Sequence, residues 1–134
     1  MTSKITYVGN LRTSSEHIQS GTTILTDAPT DNQGQGDAFS PTDLVANALG
    51  ACIITIMAIK ARDLNVVIDH STAEVTKIMS VEPRRISKIG IIIKMVGIFD
   101  QKTKLILERT AMTCPVHMSL HPSIIQEVIF EWPQ

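Results

Sequence analysis

Residues 39–63 read FSPTDLVANALGACIITIMAIKARD, and this stretch decides the fold. It opens as a helix should. Ser40 is a good N-cap, Pro41 suits the first helical position, and Asp43 stands at the capping-box spacing and matches the positive end of the helix dipole. Lys60 and Arg62 sit where the last turn favours cations. Between these ends, Leu44 to Ile59 is almost wholly apolar, broken only by Asn47, Gly50 and Thr55. A bilayer span needs roughly 20 apolar residues, so this run reads as a buried core helix. A helix apolar around most of its circumference must be covered on most sides, and one small sheet covers only one. A second subunit is therefore expected to supply part of the cover.

The remainder of the chain predicts strands around this helix. Ile5–Val8 and Leu11–Thr13 flank a Gly9-Asn10 turn, followed by a polar run from Ser14 to Ser20, and TTILTD is a β-branched strand. Residues 27–37, DAPTDNQGQGD, form a loop directly before the helix, placed to rim a site. Asn65 to Met79 reads as a strand, Val81 to Lys88 as a turn, and Ile89 to Phe99 as a strand buried on both faces. Asp100 caps a helix over QKTKLILERTAM. Thr113 starts a short helix that Pro122 stops, and Ile124 to Trp132 is the last strand. Grouped rather than alternating elements give an α+β class with largely antiparallel sheet, in a single domain over 1–134.

Composition removes several function classes. Of 134 residues, 43% are hydrophobic and 19% charged, so the chain can fold around a core. Twelve basic against thirteen acidic side chains leave a formal net charge of -1, and aromatic content is 4%. Neither a basic field nor a stacking platform is available, so no nucleic-acid partner and no membrane surface are expected. The N-terminus has no apolar run of a secretory signal. Two cysteines without an export signal imply reduced thiols in the cytoplasm, with any disulfide transient.

Those cysteines carry the candidate chemistry. Cys114, in Thr113-Cys114-Pro115, stands at a helix start, where the dipole favours thiolate, with Thr113 as N-cap. An inert buried thiol is the competing reading. Cys52 lies about three turns into an apolar helix, and alone it reads as packing, because apolar surroundings raise a thiol pKa. Read as a pair, they suit a nucleophile and a resolving partner, provided the fold brings their Cα atoms to roughly 4.4–6.8 Å. Cys114, His117 and His121 also have a zinc-like C-x2-H-x3-H spacing, but no fourth ligand is near. His117 stands one turn from Cys114 and could tune it, while surface placement is the plainer reading for His117 and His121. His17 and His70 belong to no constellation. Arg12, just after the hairpin turn, is the cation to test, with Arg62, Arg84, Arg85 and Arg109 as rivals. No metal and no cofactor is indicated.

SPTDLVANALGAC, ending at Cys52, and TCPVHMSL, around Cys114, resemble the OsmC/Ohr family of osmotically induced and organic-hydroperoxide-resistance proteins. Element order extends the resemblance over nearly the whole chain. CPVH in place of a CPYS-type sequence sets it nearer the broad OsmC-like branch. The resemblance implies an intertwined homodimer with two long central helices wrapped by sheets from both chains. It implies thiol peroxidase chemistry on organic hydroperoxides, with hydrogen peroxide as a second substrate. Cys52 would be peroxidatic, Cys114 resolving, Arg12 the stabiliser of thiolate and peroxide, and an external dithiol the reductant. Peroxidase members carry a glutamate in the first turn of the helix that holds this arginine. Thr42 stands in its place here and Asp43 follows, so either Asp43 substitutes or Arg12 is held differently. A family member that binds or senses with weak turnover is the alternative. The run Leu44, Ala48, Ile53 and Ile56 is expected to give an apolar wall that suits organic peroxides.

Overall fold

A computed structural model describes residues 1–134. The chain divides into two compact units, Met1–Val45 and Ala46–Gln134. Each carries one three-stranded sheet, so the class is mixed α+β as the element grouping predicts.

The first unit is an antiparallel meander of β1 (Ser3–Gly9), β2 (Arg12–His17) and β3 (Thr23–Asp27). The β1–β2 turn is Asn10-Leu11, one residue later than the sequence suggests. Both residues take positive φ, 55° and 61°, which two-residue hairpins need so that the turn follows the strand twist. β2 also continues through Ser14 and Ser15, because pairing on both sides satisfies its backbone whatever the side-chain polarity. The loop 28–37 ties back through Gly36 N–H to Ala28 O, 3.2 Å, and contains one short 3-10 turn at Thr30–Asn32. Ile5, Tyr7, Ile24 and Leu25 stay exposed on this sheet.

Helix α1 spans Pro41–Asp63 and carries the chain from the first unit into the second. Its start is a capping box: Ser40 Oγ accepts the Asp43 amide at 3.1 Å, and Asp43 Oδ2 accepts the Ser40 amide at 3.0 Å. At 23 residues, with mean hydropathy 1.9 over its most apolar window, it is long and apolar enough to cross a bilayer, unlike the shorter run judged from sequence. In this fold it is a core element packed on a sheet. Ala46, Leu49, Gly50, Ile53, Met57 and Ala61 form its buried stripe at helical spacing.

The second sheet receives that stripe. β4 (Thr72–Val81) pairs antiparallel with β5 (Arg84–Lys94), and β6 (Ile125–Glu131) pairs parallel with β5. This is the one parallel pair in a largely antiparallel arrangement. It is allowed because α2 (Gln101–Ala111) and α3 (Pro115–Ser119) supply the long crossover that a parallel pair needs. Asp100 caps α2 as expected, accepting the Thr103 amide at 2.8 Å.

Three strand boundaries move. Residues 65–71 are not strand, because Asn65 and His70 take positive φ. The expected long turn shrinks to Glu82-Pro83, and β5 begins at Arg84. β5 ends at Lys94 and is buried on one face only, through Ile86, Ile89, Ile91 and Ile93. A register shift opposite Ile78 and Met79 takes up one extra residue, so that Ile86 and Ile89 both face inward despite their odd spacing. Gly50 lets α1 approach closely: a Cβ there would stand 2.7 Å from Val75 Cγ2. Leu49, Ile53 and Met57 meet Ile89, Ile91, Ile93 and Leu107 in the core of this unit.

Candidate active site

Cys114 stands where α2 has ended and α3 begins. The sequence favours Thr113 as N-cap, but the cap is Cys114 itself. Its backbone is extended, and its Sγ accepts the His117 amide at 3.2 Å, with Pro115 at the first helical position. Thr113 instead turns its hydroxyl to Thr110 O at 2.7 Å, closing α2. Cys114 is fully buried. The expected lowering of its pKa is overturned. Burial pushes the thiol up, the His117 and Val116 amides pull it down, the neighbouring Cys52 pushes it up again, and the outcome is upward. A helix of five residues has too few aligned peptides to offset the loss of water.

The neighbour that adds to this is Cys52. The two thiols are close enough for Cys52 to act on the titration of Cys114, and both are free. Cys52 is half-buried, at the border of the α1 stripe between Leu49 and Ile53. The fold therefore joins the mid-helix thiol to the cap thiol, which neither local sequence could show. Of the expected apolar wall, Ile53 is wholly buried in the core, while Ala48 and Ile56 are half-buried one turn either side of Cys52.

In the first unit, Arg12 is held by loop and strand. Its Nη2 lies 2.5 Å from Asp37 Oδ2, 3.3 Å from Gln35 Oε1 and 3.5 Å from Asp27 Oδ2. Asp27 is 1% exposed and also accepts the Asp37 amide at 3.0 Å. That amide, with Arg12 behind it, keeps the Asp27 carboxyl below its ordinary pKa against the cost of burial. Asp43, one of the holders of Arg12 that the sequence leaves open, closes the capping box with Ser40, while Thr42 Oγ1 stands 3.2 Å from Ser40 Oγ.

The histidines turn elsewhere. His117 Nδ1 lies 2.5 Å from Gln126 Oε1, and Gln126 Nε2 donates to His117 O at 3.3 Å, which pins α3 to β6. His121 Nδ1 pairs with Ser123 Oγ at 2.7 Å. No group of three or more His, Cys, Asp or Glu side chains converges as metal ligands, so Cys114, His117 and His121 do not form the zinc cluster their spacing allows.

A family model described as OsmC-like protein matches residues 34–128, which include α1 and both cysteines. The chain belongs to the OsmC-like family. Among solved structures, it is 54% identical to a protein of Psychrobacter arcticus 273-4 described provisionally as an osmotic stress induced and detoxification response protein, with a TM-score of 0.94 and coverage of 98% of this chain and 96% of that one. It shares its fold with an OsmC-like protein of Mycoplasma pneumoniae, at 15% identity, TM-score 0.82 and coverage of 98% and 96%. The organic hydroperoxide resistance protein OhrB of Bacillus subtilis has the same fold, at 14% identity, TM-score 0.68 and 98% of both chains. Among curated proteins, none matches.

Arg12 and Asp27 precede the segment that the OsmC-like model matches. Asp27, Gln35, Asp37 and Gln126 escaped the sequence reading altogether. Asp27 closes a β-branched strand and gives no local sign of burial. Only the β2–β3 register, which sets Arg12 opposite Asp27, reveals it.

Proposed function

We propose that this OsmC-like protein is a cofactor-free thiol peroxidase that reduces organic hydroperoxides. One observation carries the reading: two free thiols, Cys52 on α1 and Cys114 at the head of α3, within reach of each other. The Cys52 thiolate attacks one peroxide oxygen, the O–O bond breaks, and the alkoxide leaves with a proton as alcohol. Cys52 becomes a sulfenic acid. The Cys114 sulfur attacks it, water leaves, and a Cys52–Cys114 disulfide forms. An external dithiol restores both thiols by exchange. Such a cycle suits a reducing compartment, the cytoplasm, where the resting pair is reduced. Ala48 and Ile56 beside Cys52 favour an organic chain on the peroxide over a second hydrogen.

In this proposal Arg12 stabilises the charge on thiolate and peroxide, and Asp43 fixes the start of the helix that carries Cys52. The active form is a homodimer. Support comes from α1, whose Val45, Ala51, Thr55 and Ile59 stay exposed beside the packed stripe. A second reading, a redox sensor with slow turnover, draws on Thr42 in place of a first-turn glutamate and on the raised pKa of Cys114. Stopped-flow reduction of cumene hydroperoxide separates the two. Rapid turnover that Cys52→Ser abolishes supports the peroxidase; wild-type oxidation that stalls before dithiol recycling supports the sensor. Full activity in Cys52→Ser would remove the mechanism.

A further inference from the structure

β2 and β3 set Arg12 directly opposite Asp27. The pairing between their side chains is incomplete. Asp27 Oδ2 meets Arg12 Nη2 only at 3.5 Å, and Asp27 Oδ1 is buried with no hydrogen-bond partner. An orphaned carboxylate oxygen in the interior is costly, and it calls for an explanation. Arg12 meanwhile makes every one of these contacts through Nη2, although a guanidinium offers five donors in a flat fork. The shortest contact, 2.5 Å to Asp37, belongs to the far end of the loop 28–37, whose carboxylate is well exposed. One nitrogen is thus drawn toward the loop while a buried acceptor on the facing strand stays empty.

We infer that Asp27 is the positioning carboxylate of Arg12, and that the guanidinium has two settings on it. In the setting seen here, Asp37 and Gln35 hold Arg12 out toward the loop. In the other, the loop has released it, and the fork seats on both Asp27 oxygens, filling Oδ1. Bidentate pairing of this kind fixes direction as well as charge. Asp27 would therefore do for Arg12 what a first-turn glutamate of the helix does elsewhere, but from β3. This inference rests on the peroxidase reading only for what Arg12 then does.

The test uses the full chain and two readouts. Nitrogen-15 NMR of the Arg12 guanidinium reports whether its rotation is hindered by a partner, with no reference to activity. Asp37→Asn should leave the Arg12 signals hindered, because the group settles on Asp27, and adding Asp27→Asn to that variant should free them. Asp37→Asn alone freeing the group, or the double variant leaving it held, overturns the inference. If the double variant does not fold, Asp37→Asn alone decides. In turnover, Asp27→Asn and Arg12→Ala should each lose about a hundredfold in kcat/KM, because an unaimed donor is nearly as poor as a missing one. Asp27→Glu should recover part of the loss, and Asp37→Asn should lose far less. Wild-type turnover in Asp27→Asn, with Arg12→Ala impaired, also overturns it. Should Arg12→Ala itself turn over normally, the use of Arg12 in the peroxidase reading fails, and the NMR pattern still decides whether Asp27 holds it.

Discussion

The thiols of Cys52 and Cys114 are close enough to act on each other, although one stands mid-way along α1 and the other caps α3. In the proposed cycle that relationship would set the order of events on oxidation: a sulfenic acid on Cys52 would have the Cys114 thiol already beside it, so condensation would need no diffusion. Mild peroxide treatment should give one intrachain disulfide and no accumulating sulfenic acid. In Cys114→Ser the same treatment should carry Cys52 on to sulfinic and sulfonic acids. Mass spectrometry of peptides after alkylation checks both outcomes. Chains cross-linked through Cys52 to a second copy, in place of the intrachain bond, would contradict the arrangement.

The same pair predicts how stability depends on pH. Burial raises the Cys114 pKa, so the folded chain holds that proton where the unfolded chain has lost it. The stabilisation is complete below the ordinary thiol pKa of about 8.5 and fades as pH rises through the higher folded value. Asp27 has the opposite sign. Its folded pKa is lowered, chiefly by the Asp37 amide, so its contribution is present above about pH 4 and is lost as pH falls through the folded value. Denaturant melts of the reduced protein should weaken at both ends. Cys114→Ala should flatten the alkaline limb and leave the acid limb unchanged.

What the sequence could convey follows from how local each signal is. Ser40, Pro41 and Asp43 announce the helix start within four residues, and the structure returns that capping box. Asp100 is legible for the same reason. The continuous run from Ile89 misleads, because it looks buried on both faces. In the structure it alternates, with Lys88, Gly90 and Ile92 on the opposite side from the core. Cys114 misleads differently. Its helix position argues for a low pKa, and only the surrounding fold reveals the burial that outweighs it. The Arg12 partners were illegible because two of them are placed by a loop and one by strand register, and neither leaves a local pattern.

Packing of α1 on β4 and β5 gives a stability prediction with a known cause. Ile53 is wholly buried, so Ile53→Ala should cost about 2–5 kcal/mol, part transfer and part cavity. Gly50→Leu should cost about 1–3 kcal/mol or more by overpacking, since even a Cβ at that position meets Val75. Ser40→Ala, which removes only the cap, should cost about 1 kcal/mol. Equilibrium urea unfolding measures all three. Gly50→Leu more stable than wild type would mean that the helix stands further from the sheet than described.

The uncovered side of α1 leads to the last prediction. Only a third of its most apolar window is buried by its own chain, and the exposed remainder contains Val45 and Ile59 with the small Ala51 and Ala58 between them. Small residues along a helix permit close approach of another backbone, and burying large neighbours removes apolar area at about 25 cal/mol per Å². Ile5, Tyr7, Ile24 and Leu25 leave further apolar surface open on the first sheet. A second copy of the chain would cover such surface. Light scattering should therefore give twice the 14.7 kDa chain mass, with no folded monomer on dilution. Ala51→Arg places a charge in the middle of the stripe and should lower the thermal midpoint in a concentration-dependent way, together with loss of the dimer. A folded monomer of wild-type stability, in either the native chain or this variant, would show that α1 needs no second cover.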